Sequence, residues 1–133
     1  MYYFAYGLNV SKQQMKAKLP DAKPICSAVL PNYKLVFVGW SRTYQGGVAG
    51  IRRVQGSKVS GAVYEIPEKD LSRLDKAEGV PADYSRIKVI VFDEDGTSME
   101  AVTYIKTGQS EESKPSKEYA AVIYGGYREW GIV

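Results

Sequence analysis

Seven short runs of β-branched and aromatic residues dominate the sequence, and turn-forming residues separate them. They cover residues 1–5, 24–30, 33–38, 48–54, 59–66, 84–92 and 98–106. Gly61 lies inside the fifth run, where it predicts a bulge or the close approach of another backbone. Glycines and bulges in several strands favour a curled sheet over a flat one. The pattern therefore predicts an α+β fold: a small, mostly antiparallel β-barrel of about six to seven strands.

Capping signals place about three helices among these strands. The first begins after Ser11 and ends near Leu19, the second follows Pro67 and ends at Gly79, and the third begins at residues 115–116. The exposed face of the first helix is expected to carry three lysines, Lys12, Lys16 and Lys18.

Glu78 interrupts the apolar face of the second helix. Leu71, Leu74 and Glu78 occupy positions i, i+3 and i+7, and the two leucines make their shared face the buried one. The sequence thus predicts an inward-facing carboxylate at the negative end of the helix dipole, where both burial and the dipole raise the pKa. A general acid/base needs such a group, but folding does not. A glutamate that bends out to solvent, or one paired with a buried arginine, would give the same pattern.

The chain contains no histidine, which excludes Ser-His-Asp triads, Cys-His dyads and most zinc or iron sites. Proton transfer would have to use a carboxylate, a lysine, a tyrosine or the thiol of Cys26, which has no neighbour that would lower its pKa. Residues 93–96, three acids followed by a glycine, lack the spaced ligands of a calcium loop and predict a hairpin turn instead. We therefore expect neither a metal nor another cofactor.

The length of 133 residues allows one domain, residues 1–133, with a core that needs no disulfide. The net charge of +3 comes from scattered basic residues, without the basic stripe that nucleic-acid binding usually requires. No apolar run approaches the ~18 residues of a membrane span, and the first residues lack the basic region of a signal peptide. A single cysteine fits a reducing compartment. We expect a cytoplasmic monomer or homodimer with no nucleic-acid or membrane partner.

Five segments of the chain follow one another in the order of a known family. They are YFAYGLN at residues 3–9, GGVA at 46–49, GAVYE at 61–65, LDKAEGV at 74–80 with Tyr84 after it, and PS at 115–116 with Tyr119. In that order they resemble the segments YFAYGSN, GG-aliphatic-A, G-x-V-[YW], LDxxEG…Y and PSxxY of the γ-glutamyl cyclotransferase family, the AIG2-like group.

The resemblance implies a small β-barrel with flanking helices and release of 5-oxoproline from a small-molecule γ-glutamyl substrate. In that reaction the substrate's own α-amine attacks its γ-carbonyl. Glu78 matches the family's acid/base. The resemblance also implies that seven residues bind the substrate: Tyr6, Gly7, Leu8, Asn9, Tyr84, Tyr104 and Tyr119. A strand, a glycine turn and a helix start form a geometry in which amides such as those of residues 7–9 can bind an oxyanion.

Leu8 departs from the family pattern, because it replaces the usual serine and so lacks its hydroxyl. This supports an alternative: a non-catalytic member of the fold that binds a small acidic metabolite or a partner protein. A second alternative, single-stranded nucleic-acid binding through exposed tyrosines and arginines, is weaker because tyrosines in strands usually pack inside.

Overall fold

Five strands close into a barrel with three α-helices around it, in a computed structural model that describes residues 1–108 and 110–132. In chain order the elements are β1 (Tyr2–Ala5), α1 (Lys12–Lys18), β2 (Lys23–Ser41), β3 (Gly46–Glu65), α2 (Leu71–Glu78), β4 (Tyr84–Phe92), β5 (Ser98–Lys106) and α3 (Lys117–Glu129). Short 3-10 turns cover Leu8–Val10 and Glu68–Asp70. Gln109 and Val133 of the predicted domain lie outside the described residues.

The barrel has the strand order β1-β3-β2-β4-β5. Its neighbouring strands are antiparallel except at the closing pair, β1 and β5, which run parallel. The predicted barrel class and its flanking helices are therefore confirmed. Within the described residues, no helix is both long enough and apolar enough to span a lipid bilayer.

The predicted count of six to seven strands was too high, because two expected turns are bends inside long strands. Residues 31–32 and 55–58 do not end a strand; β2 and β3 stay paired on both sides of them. Asn32 and Gly56 both have positive φ angles, +65° and +87°, and the Gly56 amide donates to Asn32 Oδ1 at 3.1 Å. Asn32 of β2 and Gly56 of β3 therefore lie close together and bend the two paired strands at the same point. In the sequence alone, each of them indicates a separate chain reversal.

Apolar side chains pack on both sides of β1, because successive residues of a strand face opposite ways. Phe4 joins the cluster inside the barrel, while Tyr3 and Ala5 join a second cluster that α1 and α2 cover. Gly61 of β3 lies against β1, and a Cβ there would meet the Ala5 carbonyl oxygen and the Phe4 ring. The close backbone approach predicted for Gly61 is confirmed.

Helix α1 begins where the sequence predicts, since Ser11 Oγ accepts a hydrogen bond from the Gln14 amide at 3.4 Å. Lys12 and Lys16 are exposed, but the expectation that Lys18 is exposed was wrong. Lys18 is half-buried and its ammonium donates to Asn9 Oδ1. The reason is helical spacing: Lys18 lies three residues after the buried Met15 and so shares its face.

Helix α2 also follows the prediction. Leu74 is fully buried, and Glu78 lies one turn further along the same face. Gly79 ends the helix in the left-handed conformation with φ +80°, and its amide bonds to the carbonyl of Lys76 at 3.1 Å. The end of α2 is thereby fixed directly beside Glu78.

Replacing Gly126 with alanine is expected to destabilise the contact between α3 and the Leu8–Val10 turn. A Cβ on Gly126 would lie 2.6 Å from the Ser11 backbone nitrogen, which leaves no space for it. We expect the unfolding free energy to fall by about 1–3 kcal/mol. Gly125 is the matched control: a Cβ there meets only Arg128 Nη2 at 3.8 Å, so alanine should stabilise by about 0.5–1 kcal/mol. Thermal melts that do not separate the two variants would contradict this packing.

Candidate active site

A cleft of about 640 Å³ opens at one end of the barrel, between α2, the loop after β1 and the tip of the β2–β3 hairpin. All eight site residues named from the sequence line this cleft: Tyr6, Gly7, Leu8, Asn9, Glu78, Tyr84, Tyr104 and Tyr119. Trp40 and Tyr44 of the hairpin line its mouth, and Trp40 is 72% exposed. Residues far apart in sequence thus share one concave surface.

Glu78 is a half-buried carboxylate in the last turn of α2 and lines this cleft. Its Oε1 accepts hydrogen bonds from Asn9 Nδ2 at 2.7 Å and from the Tyr3 hydroxyl at 3.4 Å. Burial raises the pKa of the Glu78 carboxyl, and the Lys18 ammonium and the two hydrogen bonds oppose that rise only in part. A carboxyl with a raised pKa can both accept and release a proton near neutral pH.

Residues 7–9, in the loop after β1, line the same cleft and have unpaired main-chain amides. The Val10 and Ser11 amides donate to the carbonyls of Gly7 and Leu8 at 3.1 and 3.0 Å, which closes a 3-10 turn. The first backbone amides of a helical turn have no acceptor within the turn. The amides of Gly7, Leu8 and Asn9 also form no hydrogen bond elsewhere among the described residues. The Leu8 side chain packs against the barrel interior, so leucine adds apolar contact here.

Two of the predicted pocket tyrosines hold the backbone of one residue of β3. The Tyr84 hydroxyl donates to the Ala49 carbonyl at 2.6 Å, and the Tyr119 hydroxyl accepts from the Ala49 amide at 2.8 Å. The Tyr119 proton therefore remains available to a ligand, whereas Tyr84 keeps only acceptor capacity. The Tyr6 hydroxyl donates to the Tyr104 carbonyl at 2.6 Å, which links the loop after β1 to β5. These hydroxyls fix the walls of the cleft.

Replacing Tyr119 with phenylalanine is expected to destabilise the protein by about 1–3 kcal/mol, because the buried Ala49 amide loses its acceptor. The matched control is Tyr124→Phe on the same helix, since Tyr124 is 47% exposed and should lose almost nothing. Denaturant unfolding of both variants measures the difference. Equal stability of the two variants would contradict a structural role for the Tyr119 hydroxyl.

Three residues that matter to this geometry were not identified from the sequence: Tyr3, Lys18 and Asp75. Tyr3 and Lys18 contact the Glu78–Asn9 pair. Asp75 accepts from the Tyr104 hydroxyl at 2.6 Å and pairs with Arg86, which ties α2 to the β4–β5 hairpin. Lys18 could have been found from its spacing to Met15. Tyr3 and Asp75 lie in the family-like segments 3–9 and 74–80, but the sequence did not indicate their contacts with Glu78 and Tyr104, which are distant in sequence.

The described part of the chain offers no cluster of three or more His, Cys, Asp or Glu side chains that could hold a metal ion. Residues 93–96 form the β4–β5 hairpin turn, where Asp93 Oδ1 accepts from the amides of Asp95 and Thr97 at 3.0 and 2.9 Å. The turn interpretation of this segment is confirmed.

The site therefore consists of a small mixed barrel with a cleft, lined by a carboxylate at the end of a helix and by a turn with unpaired amides. Residues 3–126 match the family described as "Gamma-glutamyl cyclotransferase, AIG2-like". The chain is 33% identical to gamma-glutamylcyclotransferase of Homo sapiens and 35% identical to that of Bos taurus, in each case over 98% of this chain and 71% of the relative. A solved structure titled "Gamma-glutamyl cyclotransferase" superimposes with a TM-score of 0.95 at 32% identity, covering 99% of this chain and 80% of the other. The chain belongs to the γ-glutamyl cyclotransferase, AIG2-like family.

Proposed function

We propose that this chain is a γ-glutamyl cyclotransferase that releases 5-oxoproline from a γ-glutamyl amino acid, peptide or amine. The names of its relatives support this activity class. The observation that carries the proposal is the half-buried Glu78 carboxylate, which lines one cleft together with the unpaired amides of residues 7–9. A carboxylate in a cavity is costly for folding and useful for proton transfer.

Glu78 acts first as a base and then as an acid. The α-amine of the substrate is largely protonated near neutral pH, so it first releases one proton to solvent and becomes a neutral nucleophile. As its nitrogen bonds to the γ-carbonyl carbon, Glu78 takes a second proton from that nitrogen. When the bond from this carbon to the leaving nitrogen breaks, Glu78 gives the proton to the departing amine. The products are 5-oxoproline and the free amine, and neither water, a metal nor a cofactor is required.

The amides of Gly7, Leu8 and Asn9 stabilise the negative charge that develops on the γ-carbonyl oxygen. Each well-placed donor in comparable sites contributes roughly 3 kcal/mol to the transition state. Because the donors belong to the main chain, the change from serine to Leu8 leaves them in place. The cleft walls hold the substrate folded toward a five-membered ring, which supplies the proximity of amine and carbonyl.

A panel of γ-glutamyl donors tests the proposal, with 5-oxoproline measured as product. The panel contains γ-glutamyl amino acids, γ-glutamyl dipeptides and γ-glutamyl amines, and the wild-type chain is expected to release 5-oxoproline from at least one class. A folded protein that releases none from any donor would overturn the proposed activity. If such a protein binds the donors without turnover, the alternative suggested by Leu8, a non-catalytic binding member of the fold, replaces it.

A further inference from the structure

Lys18, Asn9 and Glu78 form a continuous chain of hydrogen bonds at the floor of the cleft. The Lys18 ammonium donates to Asn9 Oδ1, and Asn9 Nδ2 donates to Glu78 Oε1 at 2.7 Å and to the Tyr3 hydroxyl at 3.0 Å. An ammonium group can only donate, so the amide oxygen of Asn9 must face Lys18 and its nitrogen must face Glu78. Lys18 and the Glu78 carboxylate thus both favour the same orientation of the Asn9 amide.

The placement of Lys18 has no evident benefit for folding. It is half-buried in the last turn of α1, whereas Lys12 and Lys16 of the same helix are exposed. Burial lowers the pKa of the Lys18 ammonium, and the negative charge of Glu78 partly restores it. Moving an ammonium group out of water is unfavourable unless partners compensate. An exposed or apolar residue at this position would avoid that cost.

We propose that Lys18 is a positioning residue for Glu78: it orients the Asn9 amide toward the carboxylate, and its charge favours the ionised carboxylate in the free protein. This inference rests on the proposed function, in which Glu78 is the general acid/base. An ionised, oriented Glu78 is ready to take the proton of the substrate's α-amine.

Other titratable groups face Glu78 from every element around it. They are Tyr3 of β1, Tyr6 after β1, Tyr84 of β4, Tyr104 of β5 and Tyr119 of α3. Burial raises the pKa of each of these tyrosines, so all stay neutral where an enzyme would work. The neutral tyrosines cannot replace the positive charge of Lys18.

Three further charged residues line the cleft but are placed differently: Lys76, Asp83 and Lys106. Lys76 and Asp83 are exposed, where solvent and salt screen their charges. The Lys106 ammonium lies over the Tyr84 ring, 5.3 Å from its centroid, and contacts the Asp83 carbonyl. Lys18 is therefore the cation coupled to Glu78 through a direct hydrogen-bonded chain.

Replacing Lys18 with methionine removes the charge but keeps an unbranched side chain. Because the ammonium lowers the pKa of Glu78, its loss should raise that pKa. The acid limb of the kcat/KM profile should then move up by about one pH unit, the lower end of the effect of a nearby opposite charge. Activity on that limb should fall about tenfold, and the loss should shrink as the pH rises. Lys18→Arg should restore the wild-type limb.

The test is a titration of Glu78, followed by nuclear magnetic resonance of carbon-labelled glutamate side chains, alongside the pH–rate profile. Wild type, Lys18→Met, Lys18→Arg and the exposed control Lys16→Met are compared, with thermal melts to establish that each is folded. An upward shift in Lys18→Met alone supports the proposal. An unchanged Glu78 titration in a folded Lys18→Met, or the same shift in Lys16→Met, would overturn it. The titration of Glu78 needs no catalytic turnover. An inactive wild type would therefore overturn the proposed function, whereas the Glu78 titration would still decide the Lys18 proposal.

Discussion

Replacing Glu78 with glutamine is expected to lower kcat for 5-oxoproline release by about a hundred- to ten-thousand-fold, the range of a general acid/base. Glutamine has nearly the same shape and can still accept from Asn9 Nδ2, but it cannot take or give the proton. The matched control is Glu68→Gln, because Glu68 is exposed in the turn that precedes the same helix. A Glu78→Gln variant with wild-type kcat would remove Glu78 from the mechanism.

The same variant should melt at or above the wild-type temperature at neutral pH. Since burial raises the pKa of Glu78 in the folded protein above its unfolded value, the folded state binds the proton more tightly. The stabilisation from this tighter proton binding is complete at pH values below the pKa of Glu78 in the unfolded state. It is lost as the pH rises through the pKa of Glu78 in the folded state. Ionised Glu78 thus costs stability at neutral pH, and the advantage of glutamine should shrink in acid. An unfolded Glu78→Gln would instead support a structural ion pair.

Replacing Leu8 with proline is expected to lower kcat by about a hundred- to thousand-fold, because it removes one oxyanion donor from the main chain. The Leu8 amide forms no hydrogen bond among the described residues, so folding loses none. Proline is tolerated at the first position of a helical turn. Gly7 before it has φ −113° and ψ −130°, outside the helical region that proline disfavours in its predecessor and also outside the extended region that it prefers, so Gly7 has to adjust its ψ angle in the variant.

Leu8→Ala is the control for the proline variant, since both lose the leucine side chain and only proline loses the amide proton. Steady-state kinetics with 5-oxoproline as product should show a much smaller loss for alanine. Thermal melts of the two variants separate a folding defect from a catalytic one. Equal kcat in the folded proline and alanine variants would show that the Leu8 amide does not stabilise the oxyanion.

The local features of the fold could be predicted because they depend on neighbours in sequence. The spacing of Leu71, Leu74 and Glu78 indicated which way the carboxylate faces, and Gly79 indicated where α2 ends. Ser11 indicated the start of α1 in the same way. Each of these signals lies within one or two helical turns of the residue that it concerns.

The remaining features depend on how the barrel closes, which the local pattern does not contain. Asn32 and Gly56 look like chain reversals until β2 and β3 are paired, when their positive φ angles become a common bend. The hydroxyls of Tyr84 and Tyr119 meet at Ala49 only because β4, α3 and β3 surround one cleft. The family resemblance named these tyrosines as pocket residues, but not the hydrogen bonds that they form.

The most direct test of ring closure by the substrate's own amine is the identity of the product formed in oxygen-labelled water. The proposed reaction uses no water, so mass spectrometry should find unlabelled 5-oxoproline in equal amount to the released amine. A donor whose α-amine is acetylated should not react, because its nitrogen cannot attack. Labelled glutamate as the product, or turnover of the acetylated donor, would mean that water is the nucleophile and would contradict the role given to Glu78.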